Sequence, residues 1–289
     1  MERTAMITER TQPQRRAILT LDDSPSERTR DLVDFLYKNN IPALLFVRGA
    51  RMDENPGPIL YALEKGLTIG NHTYTHRRAS EAGFDAFVAD IQKTEDLIEG
   101  AYRRTGRTRP GKFFRFPHLD RGCGSWVLDF DAVPETWRPS VRATFLEGLN
   151  VQSLAPPTSE QKALKDRLQA SLRAQGFTYP VRSSVLEVAC PAEKPVDWPF
   201  TFSTADWMLT HRHQGRWPYR TLEDLKHKID ADLWLNRPDF THVILAHDEG
   251  EIFNVTRDLI MYIKDKGFVF DPVPKDPPPC QDPIRSLSP

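Results

Sequence analysis

The sequence predicts an α/β fold built on a parallel sheet, either closed into a barrel or doubly wound. Short apolar runs alternate with amphipathic segments along most of the 289-residue chain. Polar side chains suited to chemistry follow the ends of these apolar runs. The length also suits one α/β domain of roughly 250 residues that carries an insertion.

The first half of the chain contains four apolar runs that we interpret as strands. They occupy residues 17–21, 43–47, 67–69 and 112–116. The intervening helices are predicted from apolar residues at helical spacing: Leu32, Val33, Phe35 and Leu36; residues 59–64 before Gly66; and Phe84 to Ile98. Ser24, Pro25 and Glu27 match a capping box, with Ser24 as the N-cap of the first helix.

The second half resumes the alternation at residues 200–202. A helix is predicted over 222–235, a strand over 242–245, a helix that ends at Gly267, and a strand over 268–270. Between the two halves, residues 119–199 interrupt the strand–helix alternation, and we interpret them as an inserted loop and helix segment. This insertion contains Trp126, Trp137 and Trp198 and one clear helix with Leu164, Leu168 and Leu172. It is either a wall of the substrate site or a structural elaboration.

These boundaries predict one barrel domain over residues 16–271. Residues 1–15 are expected to form a flexible tail, and residues 272–289 a loose, proline-rich one. The formal net charge of -1 argues against a nucleic-acid or membrane-surface partner. No apolar stretch approaches the roughly 20 residues that span a bilayer, and residues 1–16 lack the apolar core of a signal peptide. We therefore expect a cytoplasmic protein, and the oligomeric state stays open.

The three cysteines, Cys123, Cys190 and Cys280, lie far apart. Their number is odd, and none forms a Cys-x-x-Cys pair. The sequence therefore predicts neither a disulfide framework nor a cysteine metal site.

Six polar residues fall at or just past the carboxyl end of a predicted strand. They are Asp22, Asp23, His72, Arg115, Asp206 and His247. In parallel α/β folds the catalytic groups gather at this edge of the sheet. We therefore expect these six side chains to belong to one site.

Part of this set has the composition of a metal site. His72 and His76 are four residues apart, a weak signal alone, but the adjacent pair Asp22-Asp23 strengthens it. Two imidazole nitrogens and one carboxylate oxygen are the ligands of a hydrolytic zinc ion. Arg115 is the natural counter-charge for the aspartate that does not bind metal. Taken singly, Arg115, Asp206 and His247 could equally be a surface ion pair, an ordinary loop residue and a core histidine.

Five segments resemble, in order, the motifs of the polysaccharide deacetylase family (carbohydrate esterase family 4). Residues 20–25 (T-L-D-D-S-P) are similar to T-F-D-D-G-P, and residues 71–76 contain the H-[ST]-x-x-H core. Residues 115–118 (R-F-P-H) resemble R-x-P-Y, and two further motifs match at 206–207 (D-W) and 245–247 (L-A-H). The resemblance spans most of the chain and implies a distorted (β/α)7 barrel.

The resemblance also implies an activity and a role for each residue. The activity is the hydrolysis of an N-acetyl or O-acetyl group on an amino sugar or polysaccharide. One divalent ion, zinc in most family members, would be held by Asp23, His72 and His76. Asp22 would be the general base, oriented by Arg115, and His247 the general acid, tuned by Asp206. The substrate-binding residues would be Trp207, Leu245 and His118.

Three departures from the family pattern bear on the substrate rather than on the reaction. His118 replaces the tyrosine of the third motif, so only its backbone N–H keeps the family role. Ser24 replaces a glycine and suits the expected cap. The interval between Arg115 and Asp206 is longer than in compact members. Two alternatives stay open: a deformylase or cyclic-amide hydrolase of the same fold, and a catalytically silent carbohydrate-binding protein.

Overall fold

The structure is a computed structural model that describes residues 14–124, 135, 138–139, 156–181, 196–237 and 241–274. Its strands are β1 (Arg15–Ser24), β2 (Ala43–Val47), β3 (Thr68–Asn71), β4 (Phe202–Ser203), β5 (Thr241–His247) and β6 (Phe268–Phe270). Its helices are α1 (Thr29–Lys38), α2 (Gly49–Glu54), α3 (Gly57–Glu64), α4 (Ala79–Ala82), α5 (Phe84–Thr105), α6 (Ser159–Ala174), α7 (Leu222–Ala231) and α8 (Phe253–Asp265). No helix in these ranges is long and apolar enough to cross a membrane.

The six strands form one parallel sheet in the order β3-β2-β1-β5-β4, and β6 pairs with the first residues of β1. The central strand β1 has six consecutive buried residues, from Ala17 to Asp22. Burial on both faces explains why this strand is a continuous apolar run rather than an alternating one. Parallel pairing places the carboxyl ends of all the strands at one edge of the sheet.

Backbone hydrogen bonds continue the sheet past β3 into a closed ring. Asn71 at the end of β3 forms a parallel bridge with Phe114. The N–H of Trp198 donates to the Phe114 carbonyl oxygen at 2.7 Å, and the N–H of Thr201 donates to the Val243 oxygen on β5 at 2.9 Å. This ring is the distorted (β/α)7 barrel that the sequence predicted. The predicted strand over 112–116 forms only isolated bridges, because its outer neighbours are two short segments, at residues 177–178 and 198.

Two apolar clusters hold the helices against the sheet. The larger one surrounds β1, β2 and β5 and includes Leu32 and Leu36 of α1 and Leu259 and Ile263 of α8. The smaller one joins Phe87 of α5 and Phe114 to Leu168 and Leu172 of α6. The helix predicted within 119–199 therefore packs directly on the barrel. Trp126 and Trp137, two tryptophans of the predicted insertion, lie outside the described residues. Nearly all of the two predicted terminal tails also lies outside them.

The predicted capping box at Ser24 is wrong. Ser24 continues β1 and pairs with Val47, so the helix cannot begin beside it. α1 begins at Thr29, five residues after Ser24. The first turn is organised instead by Asp248, whose carboxylate accepts from the hydroxyls of Ser26 at 2.7 Å and Thr29 at 2.6 Å. The hydrogen bonds that order the start of α1 thus come from a carboxylate more than 200 residues away along the chain, and not from a local N-cap.

Candidate active site

The barrel brings the predicted site residues to one edge. Asp22 and Asp23 lie near the end of β1, His72 follows β3, and His247 is the last residue of β5. Asp22 and His247 are direct partners in the β1–β5 register. Ion pairs join Arg115, Asp22 and His72 to one another, and a separate pair joins Asp206 to His247. The structure thus brings these residues to one edge of the sheet; that they act as one site, and the chemical role of each, stay predictions.

Asp23, His72 and His76 form a candidate site for one metal ion, and these three side chains are here called the metal cluster. Each offers one ligand atom, and these atoms lie within 4.8 Å of one another. His72 is buried, and its Nδ1 lies 2.8 Å from the carbonyl oxygen of Arg115. A carbonyl oxygen can only accept, so Nδ1 carries a proton, and Nε2 is the ring nitrogen available to a ligand.

The charges in this cluster suit a divalent cation. Burial raises the pKa of the Asp23 carboxyl, but the nearby imidazoles of His76 and His72 outweigh burial, and the net pKa is below its ordinary value. Burial chiefly lowers the pKa of His76 to about 2. The carboxylate is therefore ionised and the imidazole neutral. Asp23 Oδ1 is buried, 3.2 Å from His76 Nε2, and accepts no hydrogen bond from the described residues. One carboxylate and two imidazoles are a donor set that zinc prefers.

Asn71 holds the loop that carries the two histidines. Its side-chain oxygen accepts from the Thr73 N–H at 2.9 Å, and its side-chain NH₂ donates to Ile91 O on α5 at 2.9 Å. Thr73 and His76 have φ angles of 64° and 58°, and Asp23 has 68°. Residues other than glycine rarely adopt positive φ, and such conformations concentrate at functional sites, where the surroundings impose them.

A buried arginine orients Asp22. Arg115 Nη1 donates to Asp22 Oδ1 at 2.7 Å and to Thr20 Oγ1 at 2.8 Å, and its Nε donates to the Trp198 oxygen at 2.8 Å. The other carboxylate oxygen of Asp22 lies 3.7 Å from His72 Nε2, beside the metal cluster. Asp22 is thus fixed with one oxygen paired to the guanidinium and the other turned towards the cluster.

A second carboxylate orients His247. Asp206 Oδ1 lies 2.7 Å from His247 Nδ1, and Asp206 Oδ2 accepts from the His247 N–H at 2.8 Å and from Thr256 Oγ1 at 2.9 Å. Burial lowers the pKa of His247, but the charge and hydrogen bond of Asp206 outweigh burial and raise it to about 9. The imidazole is therefore protonated at neutral pH and can donate a proton.

The three predicted substrate-binding residues occupy different surroundings. The ring of His118 lies 4.6 Å from that of His76, centroid to centroid, so it adjoins the metal cluster. Burial of the His118 imidazole, together with the positive charge of Arg78, lowers the pKa of His118 to about 4. Trp207 is half-buried, directly after Asp206, and Leu245 is 7% exposed on β5. Their contact with substrate stays a prediction.

Sequence reasoning missed two arginines at this edge. Arg51 of α2 donates to the backbone oxygen of Asp23 at 2.7 Å and to Glu249 at 2.9 Å. Arg48 places its Nη1 3.8 Å from Asp23 Oδ1. Arg48 could have been found from the sequence, because it directly follows the apolar run of β2, just as other predicted site residues directly follow the apolar runs of their strands. The six-residue α2 is too short to show a helical periodicity.

Part of the chain is similar in sequence to known proteins. Residues 9–125 match the family model described as polysaccharide deacetylase. The chain is 33% identical over 81 residues to a peptidoglycan-N-acetylglucosamine deacetylase of Bacillus cereus, covering 28% of this chain and 30% of that protein. It is 29% identical over 137 residues to a chitooligosaccharide deacetylase of Rhizobium leguminosarum bv. trifolii, covering 44% of this chain and 62% of that protein. The match spans less than two thirds of either relative.

The fold comparison covers more of the chain. The catalytic domain of a peptidoglycan N-acetylglucosamine deacetylase from Eubacterium rectale superimposes with a TM-score of 0.56 at 17% identity, over 91% of both chains. At this identity the likeness concerns the fold, and it extends past the family-model match to β4 and β5. The family-model match includes three of the five motif positions, at residues 20–25, 71–76 and 115–118. Over residues 9–125 the chain is therefore similar to the polysaccharide deacetylase family.

Proposed function

We propose that the protein is a metal-dependent hydrolase that removes the N-acetyl group from an amino sugar. One observation carries this proposal. Two oriented proton-transfer groups, Asp22 held by Arg115 and His247 held by Asp206, occupy paired positions on adjacent strands beside the metal cluster. A binding protein has no need of an oriented carboxylate and an oriented imidazolium at such positions.

Zinc fits the ligand set of Asp23, His72 and His76 best among the common divalent ions. When bound, it would polarise the acetyl carbonyl and make a water molecule more acidic. Asp22 Oδ2, on the side of the carboxylate not held by Arg115, would accept the proton of the attacking water. The backbone N–H of His118 is proposed to stabilise the oxyanion.

His247 would complete the reaction from the other strand. Its Nδ1 is engaged by Asp206, so its Nε2 would give a proton to the leaving nitrogen as the amide C–N bond breaks. The products are acetate and a free amine on the sugar. The pKa of about 9 keeps this acid protonated at neutral pH.

The proposal is tested by metal content and acetate release measured together. Wild type, His72→Ala and a control at the exposed His227, His227→Ala, would be loaded with zinc and assayed on N-acetylated chitooligosaccharides and peptidoglycan fragments. We expect about one zinc ion and acetate release for wild type and the control, and neither for His72→Ala. Zinc binding without acetate release from any substrate would contradict the deacetylase assignment.

The same experiment separates the alternatives. Formate release or ring opening of a cyclic amide would favour the other hydrolases of this fold. Tight binding of an acetylated sugar without any product would favour a silent carbohydrate-binding protein.

A further inference from the structure

Arg48 has an unusual position beside the metal cluster. It follows β2 at the carboxyl edge of the barrel and precedes α2. Its Nη1 lies 3.8 Å from Asp23 Oδ1, the same oxygen that lies 3.2 Å from His76 Nε2. Its side chain is 26% exposed, so part of the guanidinium can be reached from solvent at the site.

The donors of Arg48 are not used by the protein. In the part of the chain that the structure describes, its side chain donates no hydrogen bond, and the 3.8 Å to Asp23 is beyond hydrogen-bond range. The two other arginines of the site differ. Arg51 donates to Asp23 O and to Glu249, and Arg115 makes three hydrogen bonds in the barrel interior.

Arg48 shares its ion-pair partner, Asp23, with the metal cluster. Arg115 pairs with Asp22, and Arg51 pairs with Glu249. Asp23 is the carboxylate that remains for Arg48, and it is also the one oxygen ligand of the metal cluster. A divalent ion bound to Asp23 would be neutralised in part by the same carboxylate that faces Arg48. The region around Arg48 would then carry an excess of positive charge.

We propose that Arg48 binds an anionic group of the substrate, so that the enzyme prefers acetylated amino sugars that carry a carboxylate or a phosphate near the acetylated nitrogen. The guanidinium suits this role because its planar N–H groups bind carboxylate and phosphate oxygens in pairs. This inference rests on the proposed deacetylase function and narrows its substrate class.

The first test compares matched substrates. The kcat/KM for deacetylation would be measured on N-acetylglucosamine oligosaccharides, on analogues with a 3-O-lactyl carboxylate, and on phosphorylated analogues. The proteins are wild type, Arg48→Met, Arg48→Lys and a control at the exposed Arg104 of α5, Arg104→Met. We expect Arg48→Met to lower the anionic-to-neutral ratio of kcat/KM by about 10-fold or more, since a charge-assisted hydrogen bond is lost. Arg48→Lys should retain part of the ratio, and Arg104→Met all of it.

A second readout does not depend on turnover. Calorimetry on the zinc-loaded proteins, with zinc content measured in each, would compare glucosamine with its 3-O-lactyl and phosphate derivatives, all without the acetyl group. Wild type should bind one of the anionic sugars more tightly, and Arg48→Met should lose that difference. Whichever derivative, 3-O-lactyl or phosphate, binds wild type more tightly than glucosamine identifies the anion that Arg48 recognises. Equal affinity for neutral and anionic sugars in wild type would overturn the role of Arg48, whereas absence of turnover on every substrate would count against the deacetylase function alone.

Discussion

The carbonyl oxygen of Arg115 lies 2.8 Å from His72 Nδ1, while the guanidinium of the same residue donates to Asp22 at 2.7 Å. Arg115 therefore positions a metal ligand through its backbone and the proposed base through its side chain. Because only the second contact depends on the side chain, mutation can separate the two functions.

We expect Arg115→Met to keep zinc and lose activity. The His72 contact uses the backbone, so zinc per chain should stay near wild type. Removing one partner of a buried ion pair costs about 3–5 kcal/mol, and Asp22 would no longer be oriented. Zinc content, urea unfolding and acetate release check this, with Arg104→Met as the control. Loss of zinc from correctly folded Arg115→Met would contradict the separation.

Asn71→Ala should weaken zinc binding without touching a proposed ligand. The side chain ties the Thr73 N–H to α5, and loss of such supporting hydrogen bonds lowers metal affinity by about 10- to 100-fold. Competition with a chelator measures the affinity. Asn39→Ala is the matched control, since Asn39 bonds only the end of α1 through its side chain in the described structure. An unchanged zinc affinity would show that the loop keeps its shape without Asn71.

The pH profile of kcat/KM should fall on the alkaline side as His247 loses its proton. Its pKa is raised to about 9, so the acid form is present below that pH and is lost as the pH rises through it. Asp206→Asn removes the negative charge that raises this pKa, and the alkaline limb should therefore move to lower pH. A limb that stays in place in Asp206→Asn would show that another group controls it.

Gly49→Ala should destabilise the fold. An added Cβ would overlap the Thr94 hydroxyl and lie 2.7 Å from the Tyr74 ring, and forced contacts of this kind cost about 1–3 kcal/mol. At Gly100 in α5, an added Cβ meets only the end of Arg103 at 3.9 Å. Gly100→Ala should therefore stabilise the protein by up to about 1 kcal/mol, because alanine favours the helix. Urea unfolding of both variants measures the difference, and equal midpoints would contradict it.

The sequence predicted most of the barrel because its strands are buried on both faces. β1, β2 and β5 are continuous apolar runs, and the polar residues that follow them mark the carboxyl edge. α1, α5 and α8 were predicted because each has one apolar face. The His72 and His76 pair of the candidate metal site could be predicted because the spacing of two residues within one segment is visible in the sequence.

The errors concern partners that are distant along the chain. The first turn of α1 depends on Asp248, which no local pattern connects to Ser26 and Thr29. Arg48 and Arg51 were overlooked because an arginine before a short helix is unremarkable until Asp23 and Glu249 are seen beside it. Such contacts exist only after the barrel has closed.

The pairing of Asp22 with His247 in the β1–β5 register has a consequence for how this site can diversify. The offset between the two proton-transfer groups is set by the ladder of backbone hydrogen bonds between neighbouring strands, roughly 4.8 Å apart. Loops at the carboxyl edge that carry neither a proposed metal ligand nor Asp206 can therefore be lengthened, shortened or exchanged without realigning the two groups. We therefore expect grafting of such loops to change the choice of substrate while the offset between Asp22 and His247 is kept.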